Sequence, residues 1–230
     1  MDTPSSTRLN KFLALQLGIS RREADTLIEK GAVTVNGTVA TLGARCHETD
    51  IITVKGKPIA TSTRYQYIAF HKPIGYVCSR RQQGDNPTIY SLLPHLLHHL
   101  KPVGRLDKDS SGIILLTNDG DFTQRMTHPS YHKQKTYFVT IDHDLAPLHQ
   151  QMISDFGVQL DDGISKILLT RDADDDRQHW RIDMHEGRNR QIRRTFAAMG
   201  YTVTALHRTQ FGPYSLGDIK PGNYQILDIS

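Results

Sequence analysis

The sequence predicts an α+β protein: a small helix–helix–hairpin domain, then a larger domain of mainly antiparallel strands with scattered helices. Three observations carry this. Two amphipathic stretches near the start each end in glycine and lead to an Asn-Gly turn. From Tyr65 onward, apolar residues alternate with period two rather than recurring every third or fourth position. The strand-like stretches also lack regular helical crossovers, which argues against a βαβ array.

Taken in order, "RLNKFLALQLG" places Leu9, Phe12, Leu13 and Leu17 near one face of a helix that stops at Gly18. "SRREADTLIEKG" starts at Ser20 with Glu23 three places on, the spacing of a capping box, and Gly31 closes it. Ala24, Leu27 and Ile28 form its apolar side. Arg21 and Arg22 fall in its first turn beside free backbone N–H groups, which suits phosphate as well as it suits plain solvated arginines. "VTVNGTVA" reads as a hairpin around Asn36-Gly37. "VKGKPIATSTR", residues 54–64, is short and polar and reads as a linker.

The second domain begins with "YQYIAFHKP", a strand that stops at Pro73. "GIILLTND" is a nearly continuous apolar run, the pattern of a buried central strand. "KQKTYFVTID" puts Tyr137, Val139 and Ile141 on one face and Phe138 on the other, and "HWRIDMH" alternates Trp180, Ile182 and Met184. Short helices are expected over 121–126, 146–155 and 190–199. In the last, a helical wheel groups Ile192, Phe196 and Met199, with Arg190 and Arg194 opposite and Arg193 at the edge.

Composition narrows the function. A chain of 230 residues suits two unequal domains. No run approaches the roughly 18 apolar residues of a membrane span, and the start lacks a secretory pattern. Cys46 and Cys78 have no CxxC spacing and read as thiols in a reducing cytoplasm. The net charge of +4 says little by itself, but its distribution says more. Arg188, Arg190, Arg193 and Arg194 cluster, Arg21-Arg22 form a second group, and Asp172, Asp174, Asp175 and Asp176 lie apart. Two basic surfaces facing a polyanion, with the acidic loop turned away, fit that asymmetry. The glycines form neither a Walker nor a dinucleotide pattern. His95, His98 and His99 lack an acidic or Cys partner, and "RDADDDR" lacks the glycine and glutamate of a calcium loop. Neither a metal nor a cofactor is expected.

"VGRLDKDSSG" places Asp107 and Asp109 among cations. A metal ligand, a charge-neutralising partner and a nucleophile are the three options. Arg and Lys beside both carboxylates disfavour a dication. Glycoside hydrolysis normally takes two carboxylates, and these two, ahead of a Ser110-Ser111-Gly112 turn, need not point the same way. A single aspartate held ionised by arginine can act as nucleophile or base on a nucleoside. Arg193, half turned to the core, is a candidate partner. Gly187 and Asn189 beside four arginines suit phosphate recognition.

Residues 7–53, "RLNKFLALQLGISRREADTLIEKGAVTVNG" and its continuation, resemble the S4 RNA-binding domain. The resemblance implies docking on structured RNA through Arg8, Lys11, Arg21, Arg22 and Lys30. Further on, "FHKPIGYVCS", the Gly-Arg-Leu-Asp motif, "QKTYFVT", "EGRNRQIRR" and "ALHRTQFG" follow in the order of the RsuA family of bacterial ribosomal RNA pseudouridine synthases. That resemblance implies a bent, mainly antiparallel mixed sheet with a basic central cleft over residues 65–230. It implies that Asp107 is the catalytic aspartate, that Arg193 pairs with it, that Tyr137 stacks on the target base and that Leu206 lies beneath the uracil. Arg105 would contact RNA near the opening left by the extruded nucleotide. Apart from the resemblance, Lys72, Arg188, Arg190, Arg194 and Arg208 are read from their charge as further RNA contacts. The substrate would be ribosomal RNA or a partly assembled subunit, met by a monomer away from membranes. A non-catalytic RNA-binding assembly factor is the rival, and Asp107, Tyr137 and Arg193 occurring together argue against it. One departure is Thr195, where methionine commonly follows the paired arginines of the family.

Overall fold

The computed structural model describes residues 6–59, 65–80, 84–171, 173 and 175–229. The chain divides into two compact units, one ending at Gln66 and the other beginning at Tyr67. Among the described residues no helix is long and apolar enough to cross a membrane.

The first unit holds β1 (Thr7–Arg8), α1 (Leu9–Gln16), α2 (Arg21–Glu29), β2 (Val33–Val35), β3 (Thr38–Val39), β4 (Arg45–Cys46), β5 (Ile52–Val54) and β6 (Lys57–Pro58). Leu9, Phe12 and Leu13 pack with Ala24, Ile28, Val33 and Ile52 in one core. The capping box at α2 forms in both directions: Ser20 Oγ accepts from Glu23 N–H at 3.2 Å, and Glu23 Oε2 accepts from Ser20 N–H at 2.7 Å. The Asn36-Gly37 turn has φ of +51° and +84°, both left-handed, as a two-residue hairpin between right-twisted strands requires.

The linker reading fails at its start. Lys57–Pro58 pairs with β5, and Ile59 packs against the core, so this segment closes a four-stranded sheet of order β3-β2-β5-β6. The turn is Lys55-Gly56, with φ of +50° and +75°, the geometry of the Asn-Gly turn with a less usual first residue. The rest of the expected linker, 60–64, lies outside the described residues.

The second unit holds β7 (Tyr67–Lys72), β8 (Lys101–Val103), β9 (Ser111–Thr117), α3 (Gly120–Thr127), β10 (Lys135–Ile141) and α4 (Pro147–Gln151). There follow β11 (Val158–Leu160), β12 (Gly163–Ser165), β13 (Leu168–Arg171), β14 (His179–Met184), α5 (Gln191–Ala198), β15 (Val203–Phe211), β16 (Tyr214–Ser215) and β17 (Tyr224–Ile226). The main sheet runs β13-β14-β10-β15-β9-β7-β17, with β16 on β15 and β8 on β9. Its β15–β9 pair is parallel, and the other pairs are antiparallel, so the sheet is mixed. Both faces are covered. Ile114 and Leu116 point into one core with Tyr137, Trp180 and Phe196, while Ile113 and Leu115 point into another with Phe122 and Phe211. Burial on both sides explains the unbroken apolar run of β9, and each such side chain contributes about 1.5–3 kcal/mol.

Candidate active site

The site is built around the loop between β8 and β9, which carries Asp107. Its backbone is clasped from below by β7. Lys72 is fully buried and its Nζ donates to the carbonyls of Ser110 (2.6 Å), Pro73 (3.1 Å) and Lys108 (3.5 Å). Gly75, at φ +95°, donates its N–H to the Lys108 carbonyl at 2.7 Å. The expected phosphate contact at Lys72 is therefore corrected: the ammonium is spent on holding the aspartate loop.

Burial pulls the Lys72 pKa down to about 8, the charges of Cys78, Asp107 and Asp109 opposing it. The folded state thus binds this proton less tightly than the unfolded chain does. Burial costs stability below a pH of about 8, and the cost fades as pH rises towards the ordinary value of 10.5. Stability relative to Lys72→Met should accordingly rise across that window. Urea unfolding of both proteins at about pH 7.5 and about pH 10 checks this, and parallel behaviour would contradict it.

A cavity of about 450 Å³ opens over the loop. Asp107, Tyr137, Arg193 and Leu206, drawn from four separate elements, all line it, together with Arg105, Lys135, Arg190 and Arg208. Tyr137 and Leu206 come together because β10 and β15 pair with Tyr137 opposite Arg208 and Val139 opposite Leu206. Period two then points Tyr137, Leu206 and Arg208 to one face.

The charge network differs from expectation. Asp107 is met by Arg190, at 3.4 Å, and Arg190 also grips Asp109 at 3.3 Å through both terminal nitrogens. Arg193 is not paired with Asp107. Its Nη1 donates to the Val203 carbonyl (2.8 Å), its Nη2 to the Asp109 carbonyl (2.9 Å), and its Nε lies 3.3 Å from the Asp109 carboxylate. It holds the loop by the backbone and neutralises the second aspartate. The two carboxylates do converge, on one guanidinium. Desolvation works against the charge on Asp109, but the Arg190 hydrogen bond and the charges of Arg193 and Arg190 outweigh it and hold its pKa below the usual value.

Arg190 escapes the helical wheel because it is not in the helix. It caps α5 in a left-handed conformation, φ +45°, which swings its side chain to the aspartates. The other arginines of the cluster are also engaged within the protein. Arg188 bonds Asp162 (2.9 Å) and the carbonyls of Gly163 and Ile164, and Arg194 pairs with Asp161 and Asp162. Arg208 is buried, donates to the Ile113 carbonyl (2.9 Å) and the Tyr137 hydroxyl (3.4 Å), and lies over the Phe211 ring. Arg188, Arg194 and Arg208 are thus bonded to groups of the protein itself, where open RNA contacts were expected. Thr195 fits without methionine: fully buried, its hydroxyl donates to the Gln191 carbonyl and meets Ser165 Oγ at 2.8 Å.

In the first unit, Arg8, Arg21, Arg22 and Lys30 are exposed and Lys11 is half-buried. The capping box occupies the N–H groups of Ser20 and Glu23, and Arg21 and Arg22 stand exposed in the first turn.

Residues 66–198 match the family model described as RNA pseudouridylate synthase, and residues 7–52 match the S4 domain. The chain belongs to the RNA pseudouridylate synthase family. It is similar to the ribosomal small subunit pseudouridine synthase A of Pasteurella multocida, 37% identical over 223 residues that cover 96% of this chain and 95% of the relative. The Yersinia pestis protein of the same name is 38% identical over 226 residues, covering 96% and 94%. The ribosomal large subunit pseudouridine synthase B of Pseudomonas aeruginosa is 36% identical, covering 98% of this chain but 60% of that protein. A solved structure, the crystal structure of a pseudouridylate synthase, superposes with a TM-score of 0.68 at 31% identity, covering 96% of each chain.

As a pseudouridine synthase the chain is an isomerase. Within this family framework, sequence reasoning missed the partner of Asp107: Arg190 was placed on the solvent face and Arg193 was expected in its stead. The Asp-x-Asp spacing was the available signal, and only the fold shows that both side chains turn to one cation.

Proposed function

We propose that the protein isomerises uridine to pseudouridine in ribosomal RNA, with the cavity taking one extruded nucleotide. The observation that supports this best is the convergence of Asp107, Tyr137 and Leu206 on a single cavity of nucleotide size. The reaction breaks the C1′–N1 bond, turns the uracil and joins C5 to C1′; the proton lost from C5 is balanced by one gained at N1. No electrons or groups are exchanged with a cofactor. Asp107 acts on the ribose, by attack at C1′ or removal of the C2′ proton, and both start from the same contact. Extrusion costs a few kcal/mol, which a ring against the uracil offsets by about 1–3 kcal/mol. Tyr137 supplies that ring and Leu206 an apolar floor. Arg190 and Arg193 keep the carboxylate loop charged and fixed.

The relatives named for the small subunit match along almost their whole length, so small-subunit ribosomal RNA is the first substrate to try. We place the reaction in the cytoplasm, where that RNA is assembled, and assign it to a monomer. The test is tritium release from 5-tritiated uridine in small- and large-subunit transcripts and in partly assembled subunits. Release identifies the substrate; none from any of them sinks the proposal and favours the non-catalytic reading.

The S4 unit supplies affinity. Replacing Arg21 and Arg22 together by alanine should weaken RNA binding about uniformly across sequences. It should also lower the slope of log K against log salt by about 1.5, the loss of two phosphate contacts. Filter binding at several salt concentrations measures this, and an unchanged slope would remove both residues from the interface.

A further inference from the structure

The connection between α3 and β10 forms a rim of rings that the reading above leaves unused. Thr127, the last residue of α3, and Pro129 of this connection line the cavity, as does His185 just after β14. Beyond them, the tight turn Pro129–Tyr131 faces outward: His128, Tyr131 and His132 are all exposed, Tyr131 to 48%. Tyr131 meets His128 at 6.3 Å and 78°, and His132 meets His185 at 6.5 Å and 75°. Two ring pairs therefore flank the cavity mouth, and His185 of the second pair lines it.

Two of these rings, His128 and His185, are held by hydrogen bonds. His128 Nδ1 accepts from the Ser130 N–H at 3.3 Å and lies 2.8 Å from its Oγ. His185 Nδ1 donates to the His132 carbonyl at 3.0 Å, which fixes His132 in a left-handed conformation, φ +45°, uncommon for a residue with a side chain. A single exposed aromatic residue is ordinary. Two ring pairs beside the mouth of a nucleotide-sized cavity have a specific use. When a uridine leaves its stack, the base beside it loses a partner, and a preordered protein ring restores about 1–3 kcal/mol.

From this arrangement we infer that Tyr131 is a stacking platform for the unpaired nucleobase adjoining the extruded uridine. His128 and His132 flank that base, and the ligand is a single-stranded ribonucleotide segment. The inference rests on the cavity being the uridine site. It makes the turn 128–132 a determinant of which sequence context is modified, separate from the groups that perform the isomerisation.

Two measurements test it. In the first, small-subunit ribosomal RNA transcripts carrying 5-iodouridine or, in parallel, 8-azidoadenosine are irradiated with the protein, and adducts are mapped by mass spectrometry. An adduct on Tyr131 is expected; adducts confined to other segments would overturn the inference. In the second, tritium release is followed for Tyr131→Ala and Tyr131→Phe. Alanine should raise KM roughly tenfold with kcat within about twofold, and phenylalanine should restore KM, because stacking needs the ring and not the hydroxyl. Equal KM values for alanine and wild type would also overturn it. An adduct on Tyr131 in a protein that modifies no RNA would leave the platform standing and remove the isomerase reading instead.

Discussion

Asp107→Asn is expected to lower kcat by at least 10²–10⁴-fold, the range lost with a positioned catalytic acid–base group. The amide keeps the shape of the carboxylate and can still accept the Arg190 hydrogen bond, now 3.4 Å long. It can neither attack a sugar carbon nor take a proton. The fold should tolerate it, because the loop is held by Lys72, Gly75 and Arg193 through its backbone. Asp107 itself is partly exposed, with a third of its side chain accessible. Removing one negative charge from a cavity rich in arginine should leave RNA affinity equal or slightly higher. Tritium release, thermal unfolding and filter binding on the same preparation separate the three effects. A variant that turns over like wild type would end the assignment of Asp107.

Gly112→Ala should be the most damaging single-methyl change. Gly112 sits at φ +114°, and a Cβ there would lie 2.1 Å from the Arg208 carbonyl oxygen, 2.5 Å from its nitrogen and 2.7 Å from its carbonyl carbon. All three are backbone atoms of a paired strand, so no side chain can rotate away. This is the parallel contact at which β9 meets β15, Gly112 opposite Arg208. It also joins the strand leaving the Asp107 loop to the strand carrying Leu206. Strain plus overlap puts the expected destabilisation above about 4 kcal/mol, or a Tm loss of roughly 8–16 °C. Gly217→Ala is the control: φ is +54° but nothing lies within 4 Å of the new methyl, so its cost should stay near 1 kcal/mol. Similar melting temperatures for the two variants would show that β9 and β15 separate easily.

Local signals were legible in the sequence where local chemistry decides the structure. Ser20 and Glu23 formed their reciprocal cap, Asn36-Gly37 made its turn, and the alternations of β10 and β14 buried Tyr137, Trp180 and Ile182 as read. The expected helix over 146–155 is α4, continued by a π-helical turn over Met152–Phe156. What was hidden depends on distant partners. Nothing near Arg188 and Arg194 announces Asp161 and Asp162, which reach them from the turn between β11 and β12. A lysine at the end of a strand reads alike whether it ends in solvent or, as Lys72 does, beneath a loop some 38 residues further on. The insertion of β15 between β10 and β9 is equally non-local, yet it creates the cavity wall. Asp172 and Asp174 of the acidic loop lie outside the described residues; Asp176 closes its turn by accepting from Gln178 and His179 N–H groups.

The place taken by the target nucleotide decides whether Asp107 can act on it. Crystals of Asp107→Asn bound to an RNA fragment spanning its mapped site would show this directly. The uracil is expected out of its stack, in the cavity against Tyr137, with ribose C1′ and C2′ facing position 107. A uridine still paired in the RNA, or lodged elsewhere on the protein while the cavity stays empty, would contradict the account.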